Sequence, residues 1–285
     1  MASMRDIQRR KNSISSISQI TKAMKLVSTV KLQKTKERAE NSRPYFQYMY
    51  DTVTSMLARS GSIDHPYLKP GTSKKKAVIV ITSNRGLAGG YNSNVTKLVT
   101  DGNWNREDIL LYTIGRKGRE TLEKRGYEVY RDYSDVINAP LFSDAREIGK
   151  TVLEDFTGDR VGEIYLAYTS FKNTVVHEPK LVKLLPIEFS EQELSKEEAK
   201  TPMNYEPSEE EALDIIIPKY LTSLLYGALV EAAASENGAR MQAMDSATSN
   251  AEEMIEKLSL QYNRARQGSI TQELTEIIAG AEAIS

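Results

Sequence analysis

The stretch "SENGARMQAMDSATSNAEEM" (Ser235 to Met254) has the composition of a helix, yet it contains no Leu, Ile, Val or Phe. Ala239, Ala243, Ala247 and Ala251 recur every fourth residue, with Ser235 one step earlier. A core helix carries large apolar residues at that spacing. Alanine and serine there let a second helix axis come close, so the stretch predicts a slender helix held against a tight neighbour.

Working outward, the helical pattern starts at "SEEE", where Ser208 and Glu211 have the spacing of a capping box. It continues to Ile284, about 75 residues and roughly 110 Å at 1.5 Å per residue. Pro218 lies inside and is expected to bend the first turns. The other end of the chain mirrors this. Ile14, Ile17, Ile20, Met24, Val27 and Val30 step by threes and fours, a helical stripe. No glycine interrupts it before Gly61, and Pro44 is expected to kink it. That segment runs to about Ala58, some 55 residues or roughly 80 Å, too long for a helix inside a compact domain.

Between the two lies alternating structure. After the Gly-, Pro- and Lys-rich linker Arg59 to Lys76, "AVIVIT" (Ala77 to Thr82) is a β-branched run of buried-strand type. A glycine-rich turn and the helix "YNSNVTKLVTDG" follow. "DILLYTIG" and "YEVYRDYS" repeat the strand theme around the helix "RKGRETLEKRG". "SDAREIGKTVLEDFTG" is a helix opened by Ser143 with Glu147 nearby, and "EIYLAYTSF" and "PKLVKLLPIEF" close as strands. Strands alternating with short helices predict an α/β fold, a Rossmann-like domain with a sheet parallel until its last hairpin. The chain divides into an N-terminal helix (1–58), a central α/β domain (76–189) and a C-terminal helix (208–285). Neither long helix can bury its stripe in so small a domain. The economical solution is a long antiparallel coiled coil of the two, projecting from it.

Composition removes several chemistries. The 285 residues include no Cys and only two His, so thiolate catalysis, disulfides and His-rich metal sites are excluded. Absence of Cys fits a reducing compartment. The net charge of −1 argues against a wholly basic nucleic-acid binder. The neutral total hides a split, however: Met1 to Arg43 holds 11 Lys/Arg against 3 acids, and Glu188 to Asp214 holds 10 acids against 2 Lys. No run of about 18 apolar residues stands out, so no membrane span is expected. The N-terminus is basic and Ser-rich like a mitochondrial presequence, but its unbroken helical pattern reads as mature structure.

The candidate sites are few. "ITSNRGLAGGYN" (Ile81 to Asn92) could cradle a phosphate on backbone N–H groups. Its glycines, Gly86, Gly89 and Gly90, fit neither the dinucleotide nor the P-loop spacing, which favours a plain strand-to-helix turn. His65 and His177 have no triad partners in view and read as surface residues. The basic N-terminal helix could bind nucleic acid or be a solvated coiled-coil face, but an acidic protein surface fits it better. Arg264 and Arg266 beside Gln267 could bond a partner's carboxylates.

Four blocks then point to a family. "QITKAMKLVSTVKLQK", "SNRGLAGGYN", "SENGARMQAMDSATSNA" and "ITQELTEIIAGAEA" resemble, in this order and across the whole chain, blocks of the gamma subunits of F-type ATP synthases. The resemblance implies a bacterial-type central stalk, non-catalytic and without cofactor or metal. It implies partners: three alpha and three beta subunits around the paired helices, and the epsilon subunit and c-subunit ring at the membrane side. Proton flow would turn the ring and shaft together, driving the catalytic sites of the beta subunits through successive conformations. The complex would sit peripherally on the cytoplasmic face of the cell membrane. By position in matching motifs, Met24 and Lys25 would face an acidic lever of a beta subunit. Arg266 and Gln267 would meet that subunit's catch loop, and Tyr205 and Glu206 the polar loops of the c ring. The alternative is an α/β nucleotide-binding enzyme with a coiled-coil oligomerisation arm.

Overall fold

A computed structural model describes residues 4–59, 65–102, 104–187 and 208–282. The elements in chain order are α1 (Met4–Arg59), β1 (Lys76–Ile81), α2 (Tyr91–Thr100), β2 (Ile109–Ile114), α3 (Arg116–Lys124), β3 (Glu128–Asp132), α4 (Phe142–Thr157), β4 (Glu163–Phe171), β5 (His177–Leu185) and α5 (Glu209–Glu282). Pro44 and Pro218 both lie inside unbroken helices. Contacts divide the chain into two units, Thr29–Arg240 and Met1–Ser28 with Met241–Ser285.

In Thr29–Arg240 the sheet order is β3-β2-β1-β4-β5. Strands β1 to β4 pair in parallel, and β5 returns antiparallel on β4, as the pattern predicted. Every residue of β2 is buried and so are five of the six in β1, because helices cover both faces. One face packs Val78, Val80 and Leu111 against Val95 and Val99 of α2 and Leu122 of α3. The other packs Ile79, Ile81 and Ile114 against Ile148 and Val152 of α4, Met56 of α1, and a row on α5. That row is Leu213, Ile217, Leu221, Leu225 and Leu229, in steps of four. It also answers a point of composition. One window of α5 is apolar enough to pass for a membrane span, contrary to expectation, but more than half of it is buried in this core.

Of two local starts, that of α4 differs from the sequence reading and that of α5 follows it. Helix α4 opens at Leu141 rather than Ser143; Asp144 is the capping group and accepts from the Leu141 N–H at 2.8 Å. For α5, the Ser208 hydroxyl accepts from the Glu211 N–H at 3.3 Å.

Within the same unit α1 and α5 run antiparallel. Phe46 meets Tyr226 edge-on at 6.2 Å and covers Gly227, while Tyr50 meets Tyr220 at 6.4 Å. A Cβ on Gly227 would stand 2.9 Å from the Phe46 ring, so the close approach needs glycine.

The unit made of Met1–Ser28 and Met241–Ser285 is a second antiparallel helix pair. Its seam is built from Ser18, Thr21 and Ser28 on α1 and Met244, Thr248, Ala251 and Leu258 on α5. These positions step by fours, threes and sevens, the repeat that keeps one seam facing a partner helix. The Thr21 and Thr248 hydroxyls meet at 2.7 Å. Lys22–Glu252 (2.7 Å) and Lys25–Asp245 (2.6 Å) flank them.

This seam corrects the stripe reading. Ile17, Ile20 and Val27 are 49%, 59% and 57% exposed, and small polar residues take the inside. Likewise, of the four alanines spaced by fours, only Ala251 is fully buried. A spacing of three and four identifies a helix face, but it cannot say which molecule covers that face.

Candidate functional site

The residues expected to meet partners fall at different places on this scaffold. Met24 and Lys25 sit half-buried on α1, and the Lys25 ammonium is engaged by Asp245 of α5. An outside carboxylate would therefore share or displace Asp245. Arg266 and Gln267 are exposed on α5. The pairing of Thr21 with Thr248 and Lys22 with Glu252 sets an antiparallel register in which α1 ends opposite about residue 265 of α5. Beyond it, every described residue from Gln267 to Ala281 except Ser269 is exposed, including Ile270, Leu274, Ile277 and Ile278. Four large aliphatic side chains in water on one unpaired helix mark an interaction surface. Tyr205 and Glu206 lie outside the described residues.

Backbone donors flanking the glycine turn are bonded within the chain. Ser83 N–H donates to Asn92 Oδ1 at 2.9 Å, Arg116 N–H to Asn84 Oδ1 at 2.9 Å, and Gly118 N–H to Thr82 Oγ1 at 2.9 Å. Tyr91 and Asn94 N–H groups donate to the Ala88 and Gly90 carbonyls. Left-handed backbone falls at Leu87 (φ 64°) and Gly89 (φ 56°), so the glycine serves the turn's geometry. The Leu87 side chain is 63% exposed at the tip. Nearby, Arg240 on α5 pairs with Glu236 at 2.8 Å and points at the Arg85 and Gly86 carbonyls. Burial holds the Glu236 carboxyl above its ordinary range against the pull of Arg240.

Neither histidine is a surface residue. His65 is buried, with Nε2 3.2 Å from Asp214 Oδ1 and Nδ1 accepting from the Tyr67 N–H. His177 is half-buried against Phe171, with both ring nitrogens enclosed and without hydrogen-bond geometry to a partner. Burial lowers its pKa, and the Thr174 carbonyl opposes that effect weakly. Sequence reasoning missed both because their neighbours, Asp214 and Gly238, lie far along the chain. Among the described residues no group of three or more acidic or His side chains is placed to hold a metal ion.

Comparison with known proteins decides the family. The family model described as ATP synthase matches residues 3–284. The ATP synthase gamma chain of Lachnoclostridium phytofermentans is 68% identical over 291 residues, covering all of both chains. This chain belongs to the ATP synthase gamma-chain family. A relative in Acetobacterium woodii, described as a sodium-ion-specific ATP synthase gamma chain, is 42% identical over 99% of each chain. Among solved structures, a chain of the central stalk and c ring of the Tetrahymena thermophila mitochondrial ATP synthase is 28% identical. It aligns with a TM-score of 0.61 over 80% of this chain and 99% of that one. A chain of the Euglena gracilis mitochondrial enzyme aligns over 99% of this chain and 94% of that one, with TM-score 0.69 at 18% identity, which shows the fold alone. The chain is thus a non-catalytic subunit of a membrane-associated complex, and the nucleotide-enzyme alternative falls with that membership.

Proposed function

We propose that this chain is the rotor shaft through which ion-driven rotation of a c ring is converted into conformational cycling of catalytic beta subunits. The observation that carries this reading is the inverted helix pair: small polar residues inside the seam, and Ile17, Ile20, Val27, Ile270, Leu274 and Ile277 outside it. A shaft shifts a partner's equilibrium only through contacts that differ in free energy between the partner's states. Apolar contacts supply the needed size. Covering one such side chain is worth about 1.5–3 kcal/mol, and about 5.5 kcal/mol moves a two-state population from 1:99 to 99:1. Two or three side chains covered in one state and bare in another would suffice. Exposed ion pairs, at about 0–1 kcal/mol each, would not. In this reading alpha and beta subunits, three of each, form the sleeve. Met24, Lys25, Arg266 and Gln267 touch the beta subunits, Tyr205 and Glu206 reach the c ring, and the epsilon subunit binds on the membrane side. The complex works at the cytoplasmic face of the cell membrane.

The test is co-purification of the chain with its alpha and beta subunits, with ATPase activity assayed with and without it. The expected result is a complex of three alpha, three beta and one copy of this chain whose activity depends on it. Failure to co-purify would overturn the reading.

A further inference from the structure

Torque between the sheet and α5 must cross whatever joins them, and one short patch of α5 is built unlike the rest. Lower on α5 the contact is a row of leucines against α4, where Gly149 lies under Leu221 and Leu225. Apolar ridges of that kind fix distance, but one helical turn looks much like the next. Residues 231–238 are different. Phe171 N–H donates to Glu231 Oε2 at 3.3 Å, the buried Tyr91 hydroxyl to the Ala232 carbonyl at 3.1 Å, and the Ser235 hydroxyl to the Thr169 carbonyl at 3.3 Å. At Gly238 the imidazole of His177 occupies the space where a side chain would begin; a Cβ there would stand 2.6 Å from Cε1 and 2.8 Å from Nε2.

These contacts reach α5 from three places: the first residue of α2, the last residues of β4 and the first of β5. All three lie toward the C-terminal ends of β1 and β4, because those strands are parallel and β5 begins where β4 ends. The bonds made by the Glu231 and Ser235 side chains and the ring seated on Gly238 depend on which residue stands there, so slip of α5 by one turn would break these three together.

We propose that this patch is the joint that holds α5 in rotational register with the sheet domain, with His177 the positioning residue acting through Gly238. The inference rests on the shaft reading above. Its test compares Gly238→Ala, His177→Ala and the double variant in the complete reconstituted synthase. ATP hydrolysis, ions pumped per ATP and the thermal midpoint of the free chain are measured for each. Gly238→Ala and His177→Ala are each expected to keep hydrolysis within about twofold and lower ions pumped per ATP about threefold or more, and the double variant is expected to lose no more than either alone, as the coupling in a double-mutant cycle requires. A merely structural defect would lower the thermal midpoint without changing the ratio. An unchanged ratio in either single variant, or losses that add in the double variant, overturns the proposal. Should Gly238→Ala fail to assemble, Tyr91→Phe removes one hydroxyl from the same joint, and an unchanged ratio there overturns it equally. Failure of the wild-type chain to couple at all would sink the shaft reading instead.

Discussion

At the scale of single residues, the two glycine-bearing turns make opposite demands. Gly115 has φ 105°, and a Cβ on it would stand 2.1 Å from the Thr82 carbonyl oxygen, whereas Gly86 has nothing within 4 Å. Gly115→Ala is therefore expected to destabilise the free chain by about 3 kcal/mol or more, and Gly86→Ala by less than about 0.5 kcal/mol, read from urea unfolding. The glycine that looks functional in the sequence is the dispensable one. The one that matters hides in "TIGRKG", since its neighbour is Thr82 at the end of β1, which runs parallel beside β2. His177 supplies a pH dependence. Burial lowers its folded pKa below the ordinary 6.5. The unfolded chain thus binds the proton more readily, and stability present above 6.5 is lost as pH falls below it. The slope contributed is at most about 1.4 kcal/mol per pH unit. His177→Gln is expected to flatten that part of the stability-against-pH curve, measured by thermal melts between about pH 5 and 8.

At the scale of elements, the helix pair of Met1–Ser28 and Met241–Ser285 separates inside from outside by chemistry the reverse of a leucine zipper. Ser18, Thr21 and Ser28 are buried and Ile17 and Ile20 are not. Leu258→Ala, at the seam, should cost the free chain about 2–3 kcal/mol of stability. Val27→Ser, facing out, should change it by less than about 0.5 kcal/mol, and the same urea curves would show the contrast. Hydrogen exchange gives an independent reading. Amides from Met244 to Leu258 lie along the paired seam, while 267–281 are on an unpaired helix, so the latter should exchange much faster in the free chain. Equal protection along both would mean that α5 is stable without a partner. The helices were legible in the sequence because unbroken 3.6-residue periodicity is a strong local signal. Their facing was not, because an apolar stripe that waits for another protein looks the same as one that meets its own chain.

At the scale of the whole molecule, the chain carries shape and contact rather than chemistry. Calorimetry of the free chain with ATP or ADP is expected to show no binding at micromolar concentrations, since Gly86, Gly89 and Gly90 fit neither phosphate-loop spacing and the flanking Ser83 N–H is bonded to Asn92. Heat of binding that vanished on replacing Gly89 would contradict this. Met24→Lys sets a second cation beside Lys25, which pairs with Asp245. In the assembled synthase it is expected to lower ions pumped per ATP while hydrolysis persists, measured in reconstituted vesicles. An unchanged ratio would remove Met24 from the proposed beta-subunit contact.

Hydrophobic period, glycine and proline punctuation and charge asymmetry, all local properties, determined in the sequence itself that two long helices enclose a mostly parallel α/β sheet. Distance along the chain hid the rest. Tertiary structure alone decided that serine and threonine, not isoleucine, fill the terminal helix seam, that His65 pairs with Asp214, and that His177 rests on Gly238. Each of those contacts joins residues more than fifty positions apart, and no periodicity can report what a folded chain brings together across such a span.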